Sequence, residues 1–323
     1  WGGDVPLVLG VDEAGYGPLL GPLVVGATLW RVSPALVDQD FWTCLEPGVC
    51  RAAARGEARV PVGDSKQVFD RKRGISTLER TVLAFARAVG LRCETLADLL
   101  VSLGFDGYAA TTCPWYRDLQ QRLPVDPARS AFEGAAHRLT ETMSAAGVVC
   151  CGLRAEILVE DVYNRRVTQT RNKAAVLLEA VLRLLDWAGR QCGDQNLHAH
   201  VDRLGGRMNY RARLMQAFPD RHVHVLAETE DCSRYRLASQ ASDWFVDFTV
   251  DGDQQHLPIA LASMVAKYVR ELLMDRFNAF WRALAPNLQP TAGYYTDAQR
   301  FLADIGPLVA RGGVPTATFV RVR

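Results

Sequence analysis

The 323-residue chain has no apolar run approaching the roughly 18 residues that a membrane-spanning helix needs, so no such span is expected. Its eight cysteines include no C-x-x-C and no paired spacing, which sets aside a zinc-binding or disulfide-stapled framework and fits reduced thiols. An excess of one charge is missing too. With 37 basic and 36 acidic residues the net charge is +1, so any electropositive surface must be local. No signal-peptide pattern is visible, and a cytoplasmic protein is expected. What is present is ordinary for a globular protein: 49% hydrophobic and 23% charged residues, with length enough for a substantial core.

The organising stretch is Leu7 to Trp30, LVLGVDEAGYGPLLGPLVVGATLW. A short apolar run bounded by Gly and Pro reads as a buried strand. It ends in adjacent carboxylates, Asp12 and Glu13, before a loop with glycines at 15, 17 and 21. Carboxylates at the end of a central strand are costly unless a cation compensates, and Mg²⁺ or Mn²⁺ suits such ligands. The glycines let backbone N–H groups approach an anion closely. The plainer alternative is a tight hairpin with an Asp-Glu bend.

Further along, Ser76 and Glu79 have capping-box spacing ahead of an apolar stripe at Leu78, Val82, Phe85 and Val89. Ser130 and Glu133 repeat that spacing at the head of a helix to Ala146. Trp115-Tyr116 either caps a groove or packs inside residues 92–147. Val148 to Val159 reads as a strand, and Asp161 to Lys173 as the entry to a long helix with Leu177, Val181, Leu184 and Leu185 on one face. Alternation over Leu197–Asp202 puts His198, His200 and Asp202 on one strand face. His200 is then either structural or close beneath a metal. Arg203, Arg207, Arg211 and Arg213 form a basic patch suited to phosphate, or a solvated helix face. His222 to Glu228 is another strand.

The string Gly10 to Pro22, GVDEAGYGPLLGP, resembles the signature of type 2 ribonuclease H (ribonuclease HII and HIII), G-x-D-E-A-G-R-G-P-x-x-G-P, with Tyr16 at the Arg position. Asp64-Ser65-Lys66 is similar to its D-S-K element, with Arg71, Lys72 and Arg73 behind. Val201-Asp202, followed by Gly205 and Gly206, resembles its V-D-G element. Gly252-Asp253 through Ile259, Ala262-Ser263 and Ala266-Lys267 resembles G-D-x5-I-A-A-A-S-I-x-A-K. Gly293-Tyr294-Tyr295-Thr296 resembles G-Y-x-T, with Gln299 where the family carries His.

The resemblance implies an α/β ribonuclease H-like fold, a mixed central sheet flanked by helices. It further implies one domain over 1–323, with a helical insertion at 92–147 and an extra hairpin at 233–251. Asp12, Glu13, Asp202 and Asp253 would be the catalytic and metal-binding carboxylates for Mg²⁺ or Mn²⁺. Glu230 and Asp231 are the rivals for the fourth position. Gly15, Tyr16, Gly17, Ser65, Lys66 and Tyr294 would contact substrate. The implied activity is a metal-dependent endonuclease that hydrolyses the RNA strand of RNA–DNA hybrids by a two-metal-ion mechanism. A monomer with a nucleic-acid partner and no membrane is expected. The alternatives are a nuclease of the same fold acting on another nucleic acid, which Tyr16 and the insertion favour, and a non-catalytic nucleic-acid-binding protein. Four retained acids facing phosphate speak against the latter. The type 3 enzymes also lack this Arg and cut lone ribonucleotides poorly, so a preference for continuous hybrid is expected.

Overall fold

The computed structural model describes residues 5–52, 57–64, 74–107, 112–127, 130–312 and 314–322. Its centre is a seven-stranded mixed sheet. In chain order its strands are β1 (Leu7–Ala14), β2 (Leu23–Val32), then, after the short parallel pair β3 (Val49–Cys50) and β4 (Val60–Pro61), β5 (Val148–Leu158), β6 (Leu197–Asp202), β7 (His222–Glu228), β8 (Cys232–Ala238) and β9 (Asp243–Thr249). Across the sheet they lie in the order β5-β2-β1-β6-β9-β8-β7. The middle three, β1, β6 and β9, are parallel, and both flanks are antiparallel. Helices cover it, giving the mixed sheet that the sequence implies.

Strand alternation divides the core in two. Leu7, Leu9 and Val11 of β1 point into one apolar layer, with Val176, Val181, Leu184 and Leu185 of the Lys173–Cys192 helix. Val8 points the other way, into the layer built on the Leu257–Leu284 helix. That long helix approaches the sheet more closely than side chains allow. A Cβ on Gly10 would lie 2.1 Å from the carbonyl carbon of Pro258, and one on Gly26 would lie 2.3 Å from the carbonyl oxygen of Ala262. Glycine in a strand interior marks such a contact. The hydroxyl of Thr28 donates to the Pro258 carbonyl at 2.8 Å and fixes the register. The helix is thereby laid against β1 with Ser263 beside the end of that strand.

Three local expectations give way to tertiary contacts. Neither expected capping box forms: the Ser76–Ala88 helix has Ile75 at its N-cap, and Glu133–Ala146 has Phe132, both without side-chain caps. Glu79 is instead buried, accepting from the Val125 and Asp126 N–H groups at 2.7 and 3.3 Å and from the Tyr268 hydroxyl at 2.8 Å. A carboxylate that satisfies buried backbone donors is held there more strongly than at an exposed helix end. Nor is the stretch from Asp161 one helix. It breaks at Arg171, whose φ is +52°, and Asn172 caps the next helix by accepting from the N–H groups of Ala174 and Ala175.

Within 92–147, the Leu96–Ser102 and Glu133–Ala146 helices pack on the same layer as the long helix. Trp115 is buried edge-on against Phe277, Phe280 and Phe319, so the Trp115-Tyr116 pair is interior rather than a cap over a groove.

Candidate active site

Parallel β1 and β6 are neighbours, so the residues at their C-terminal ends meet. Asp12 and Glu13 arrive from β1 and Asp202 from β6, and each offers a carboxylate oxygen within 4.8 Å of the others. Asp12 is only 9% exposed. Burial holds its carboxyl well above the usual carboxylate range, and the charges of Glu13 and Asp202 push it the same way. The Ser263 side chain and the Glu13 N–H, at 2.7 Å, bond to it in the opposite sense. Asp202 is oriented by the Gly252 N–H, 2.9 Å from Oδ1. Three carboxylates this close cannot all be ionised without a cation. Oxygen donors on rigid strand ends fit a hard divalent ion, so the residues present suit Mg²⁺ or Mn²⁺.

These acids line a cavity of about 250 Å³. Asp253 faces it from the short Gly252–Gln255 turn, and Ser263 and Lys267 from the long helix. Lys267 is paired with Glu271 at 2.8 Å. Gly15, Tyr16 and Gly17 close one side, and Tyr294, 51% exposed, stands at the rim. Tyr294 is brought there because the Gly293 carbonyl accepts from the N–H groups of Leu19 and Leu20, at 2.7 and 3.2 Å. Thus Asp12, Glu13, Asp202, Asp253, Gly15, Tyr16, Gly17 and Tyr294 share one cavity. Ser65 and Lys66 lie outside the described residues, as do Arg71, Lys72 and Arg73.

One rival and three histidines line a different cavity. Asp231 lines a neighbouring cavity of about 890 Å³ with His198, His200, His256 and Asp247. His200 stacks on His256 with ring centroids 4.3 Å apart, and burial pulls it down to about 3, so it is neutral at physiological pH. It lines this neighbouring cavity and not the one lined by the acid cluster. The Arg203 guanidinium holds the turn before β8, donating to the carbonyls of Thr229, at 2.9 Å, and Glu230.

Asp251 also lines the acid cavity and was not anticipated. Its φ of +50° is uncommon for a non-glycine residue. The only signal in sequence is Asp-Gly at a strand end.

Over 98 residues, 29% of this chain and 48% of that protein, the sequence is 37% identical to ribonuclease HII of Sphingopyxis alaskensis. Over that stretch the chain is similar to a type 2 ribonuclease H. It spans about half the length of this curated relative, and no family model matches it. Among solved structures, Bst-RNase HIII in complex with Mn²⁺ is similar at a TM-score of 0.49 and 15% identity, covering 98% of this chain and 66% of that one. The RNase HII of the Archaeoglobus fulgidus PCNA:RNase HII complex is similar at 0.44 and 14%, covering 98% and 94%. Both are distant. Among the described residues no helix is long and apolar enough to cross a membrane.

Proposed function

We propose that the chain is an endonuclease that hydrolyses the RNA strand of RNA–DNA hybrids with divalent cations held by Asp12, Glu13 and Asp202, and with Asp253 as a fourth ligand. The observation that carries this reading is the tight triple of carboxylates, one of them buried, at the floor of a cavity that also holds a lysine and a glycine loop. A chain that only bound nucleic acid would gain nothing from three acids facing phosphate.

When bound, a pair of Mg²⁺ or Mn²⁺ ions would neutralise the acids, clamp the scissile phosphate and supply hydroxide for in-line attack. The protein's own groups do the rest. The Ser263 contact and the Glu13 N–H fix the Asp12 carboxylate, and the Gly252 N–H fixes that of Asp202, so no reorganisation is needed on binding. The Lys267 ammonium, steadied by Glu271, faces the cavity as a point charge for a phosphate oxygen. Tyr294 offers an aromatic face at the rim for a sugar or base. Products would carry 5′-phosphate and 3′-hydroxyl ends. The 2′-hydroxyl is the group by which RNA is told from DNA.

Labelled hybrid, a duplex with one ribonucleotide and plain DNA, each with Mg²⁺, Mn²⁺ or excess chelator, test this. Cleavage of hybrid that needs metal and is abolished in Asp12→Asn is expected. Undiminished cleavage in chelator sinks the metal reading. Cutting of plain DNA favours the second reading, a same-fold nuclease for another nucleic acid, to which Tyr16 at the Arg position gives some weight.

A further inference from the structure

The C-terminal tail carries a guanidinium that the reaction above does not use. Arg321 is 3% exposed, an unusual place for a cation. It donates to the carbonyl oxygen of Gly15 and, at 3.2 Å, to that of Tyr16, and it lies over the ring of Tyr163 at 3.9 Å. The tail is seated for this. The Arg321 N–H donates to the Leu19 carbonyl at 2.9 Å. Asn164 donates through Nδ2 to the carbonyls of Ala317 and Val320, and its Oδ1 accepts from the Val322 N–H, each at 2.8 Å.

The consequence is directional. In a trans peptide the C=O and N–H point opposite ways. Since the carbonyls of Gly15 and Tyr16 face Arg321 in the interior, the N–H groups of Tyr16 and Gly17 face away from it. A second buried arginine backs the same loop: at Gly15, where φ is +89°, a Cβ would meet Arg270 Nε at 2.5 Å. At Gly17 the space is open, with nothing within 4 Å of a Cβ. One side of the loop is therefore filled with guanidinium and the other is left for a ligand.

We propose that Arg321 is a positioning residue: it holds the Gly15-Tyr16-Gly17 loop with the Tyr16 and Gly17 N–H groups turned toward the cavity, where they take an oxygen of the bound nucleic acid. This rests on the nuclease reading for the nature of the ligand and not for the hold on the loop. A buried arginine that merely anchors the tail would leave the loop amides indifferent to its replacement.

Tyr16-Gly17 is the only Tyr-Gly pair in the sequence. Protein labelled with carbonyl-¹³C tyrosine and ¹⁵N glycine therefore gives one carbonyl-coupled amide signal, that of Gly17, while the other glycine amides report whether the fold is intact. The full chain is compared with Arg321→Gln and with Arg321→Lys, which keeps the buried charge and carries the test if the first fails to fold. The Gly17 signal should move in both variants. It should respond to titrated hybrid in the wild type and respond less in the variants. With Mn²⁺, kcat/KM on hybrid should fall about tenfold, mainly through KM, the effect of about one misdirected hydrogen bond. An unmoved Gly17 signal in both variants overturns the hold on the loop. A signal that moves while kcat/KM and the response to hybrid stay as in the wild type overturns the role in substrate positioning. If the wild type cuts no hybrid, the nuclease reading fails, and the Gly17 signal with its response to titrated hybrid still decides both parts of this inference.

Discussion

Replacing Gly26 with alanine tests how the site is assembled. The added Cβ would sit 2.3 Å from the Ala262 carbonyl oxygen and 3.1 Å from the Ala266 nitrogen, and both obstacles are helix backbone. To reach an ordinary contact the Leu257–Leu284 helix must retreat from β2 by about 1 Å, since no side-chain rotation relieves the clash. Overpacking of this kind costs about 1–3 kcal/mol, and a rigid obstacle puts Gly26→Ala at the upper end. Thermal unfolding should show Tm lower by roughly 4 °C. The same retreat draws Ser263 away from Asp12, so kcat/KM on hybrid should fall at least about tenfold, the loss of one charge-assisted hydrogen bond. Gly17→Ala is the control, because nothing lies within 4 Å of its Cβ. Its Tm should hold or rise by a degree or two, through the less flexible unfolded chain, while substrate binding weakens. An unchanged Tm in Gly26→Ala, or a large loss in Gly17→Ala, refutes this account of which glycine serves packing and which leaves room for a ligand.

Asp253→Asn should lower kcat on hybrid by at least about tenfold while Asp231→Asn leaves it unchanged; the reverse pattern shows that the fourth carboxylate is Asp231. In metal-free protein Asp12→Asn should raise Tm, because it removes a carboxyl whose ionisation is opposed by burial and by Glu13 and Asp202, and the rise in Tm that Mn²⁺ gives the wild type should vanish, as calorimetry would show. Burial pushes the Glu160 carboxyl up to about 7, from an ordinary value of 4.5. The unfolded chain gives up that proton first, so stability is fully present below about pH 4.5 and is lost as pH rises to about 7, by an amount on the order of 3 kcal/mol. Glu160→Gln should flatten that part of the denaturant-derived stability profile, and parallel profiles for the two proteins contradict the assignment.

What could be read from sequence was whatever local chemistry carries. Asp12 and Glu13 end an apolar strand, and Asp202 and Asp253 each follow an apolar or alternating run, so their types and positions were visible before any fold. The stripe at Val181, Leu184 and Leu185 was visible for the same reason, since burial on a helix face has a period. The features that escaped depend on partners far away in the chain. Glu79 has the spacing of a cap, yet its partners are Val125, Asp126 and Tyr268. Gly10 and Gly26 look like ordinary strand residues until a helix more than 230 positions later is laid on them, as the contact between Thr28 and Pro258 records. Arg321 has no local mark at all: its meaning comes from carbonyls 306 and 305 residues away.

Tyr16 changes the electrostatics of the loop and is partly compensated. Its half-buried ring packs against the apolar layer beneath β1, and the Lys173 ammonium lies 5.0 Å from its centroid. Lys173 opens its helix, where a cation is disfavoured by the helix dipole by about 0.3–1 kcal/mol. A cation–π contact at an exposed site returns about 0.5–1 kcal/mol, so the tyrosine roughly offsets the cost of a charge next to the loop. Lys173 thus places a single ammonium beside the loop, without the bidentate fork of a guanidinium. Lys173→Ala should therefore weaken hybrid binding and lower the salt slope of log K by about one, as for the loss of one phosphate contact. Tyr16→Arg should restore a forked donor and move the ratio of kcat/KM toward the duplex with a lone ribonucleotide, where few other ribose contacts are available. Two measurements decide this: the salt slope in Lys173→Ala, and the substrate ratio in wild type and Tyr16→Arg. If the wild type already cuts the lone ribonucleotide as well as continuous hybrid, Tyr16 sets no preference and Lys173 alone accounts for the charge at the loop.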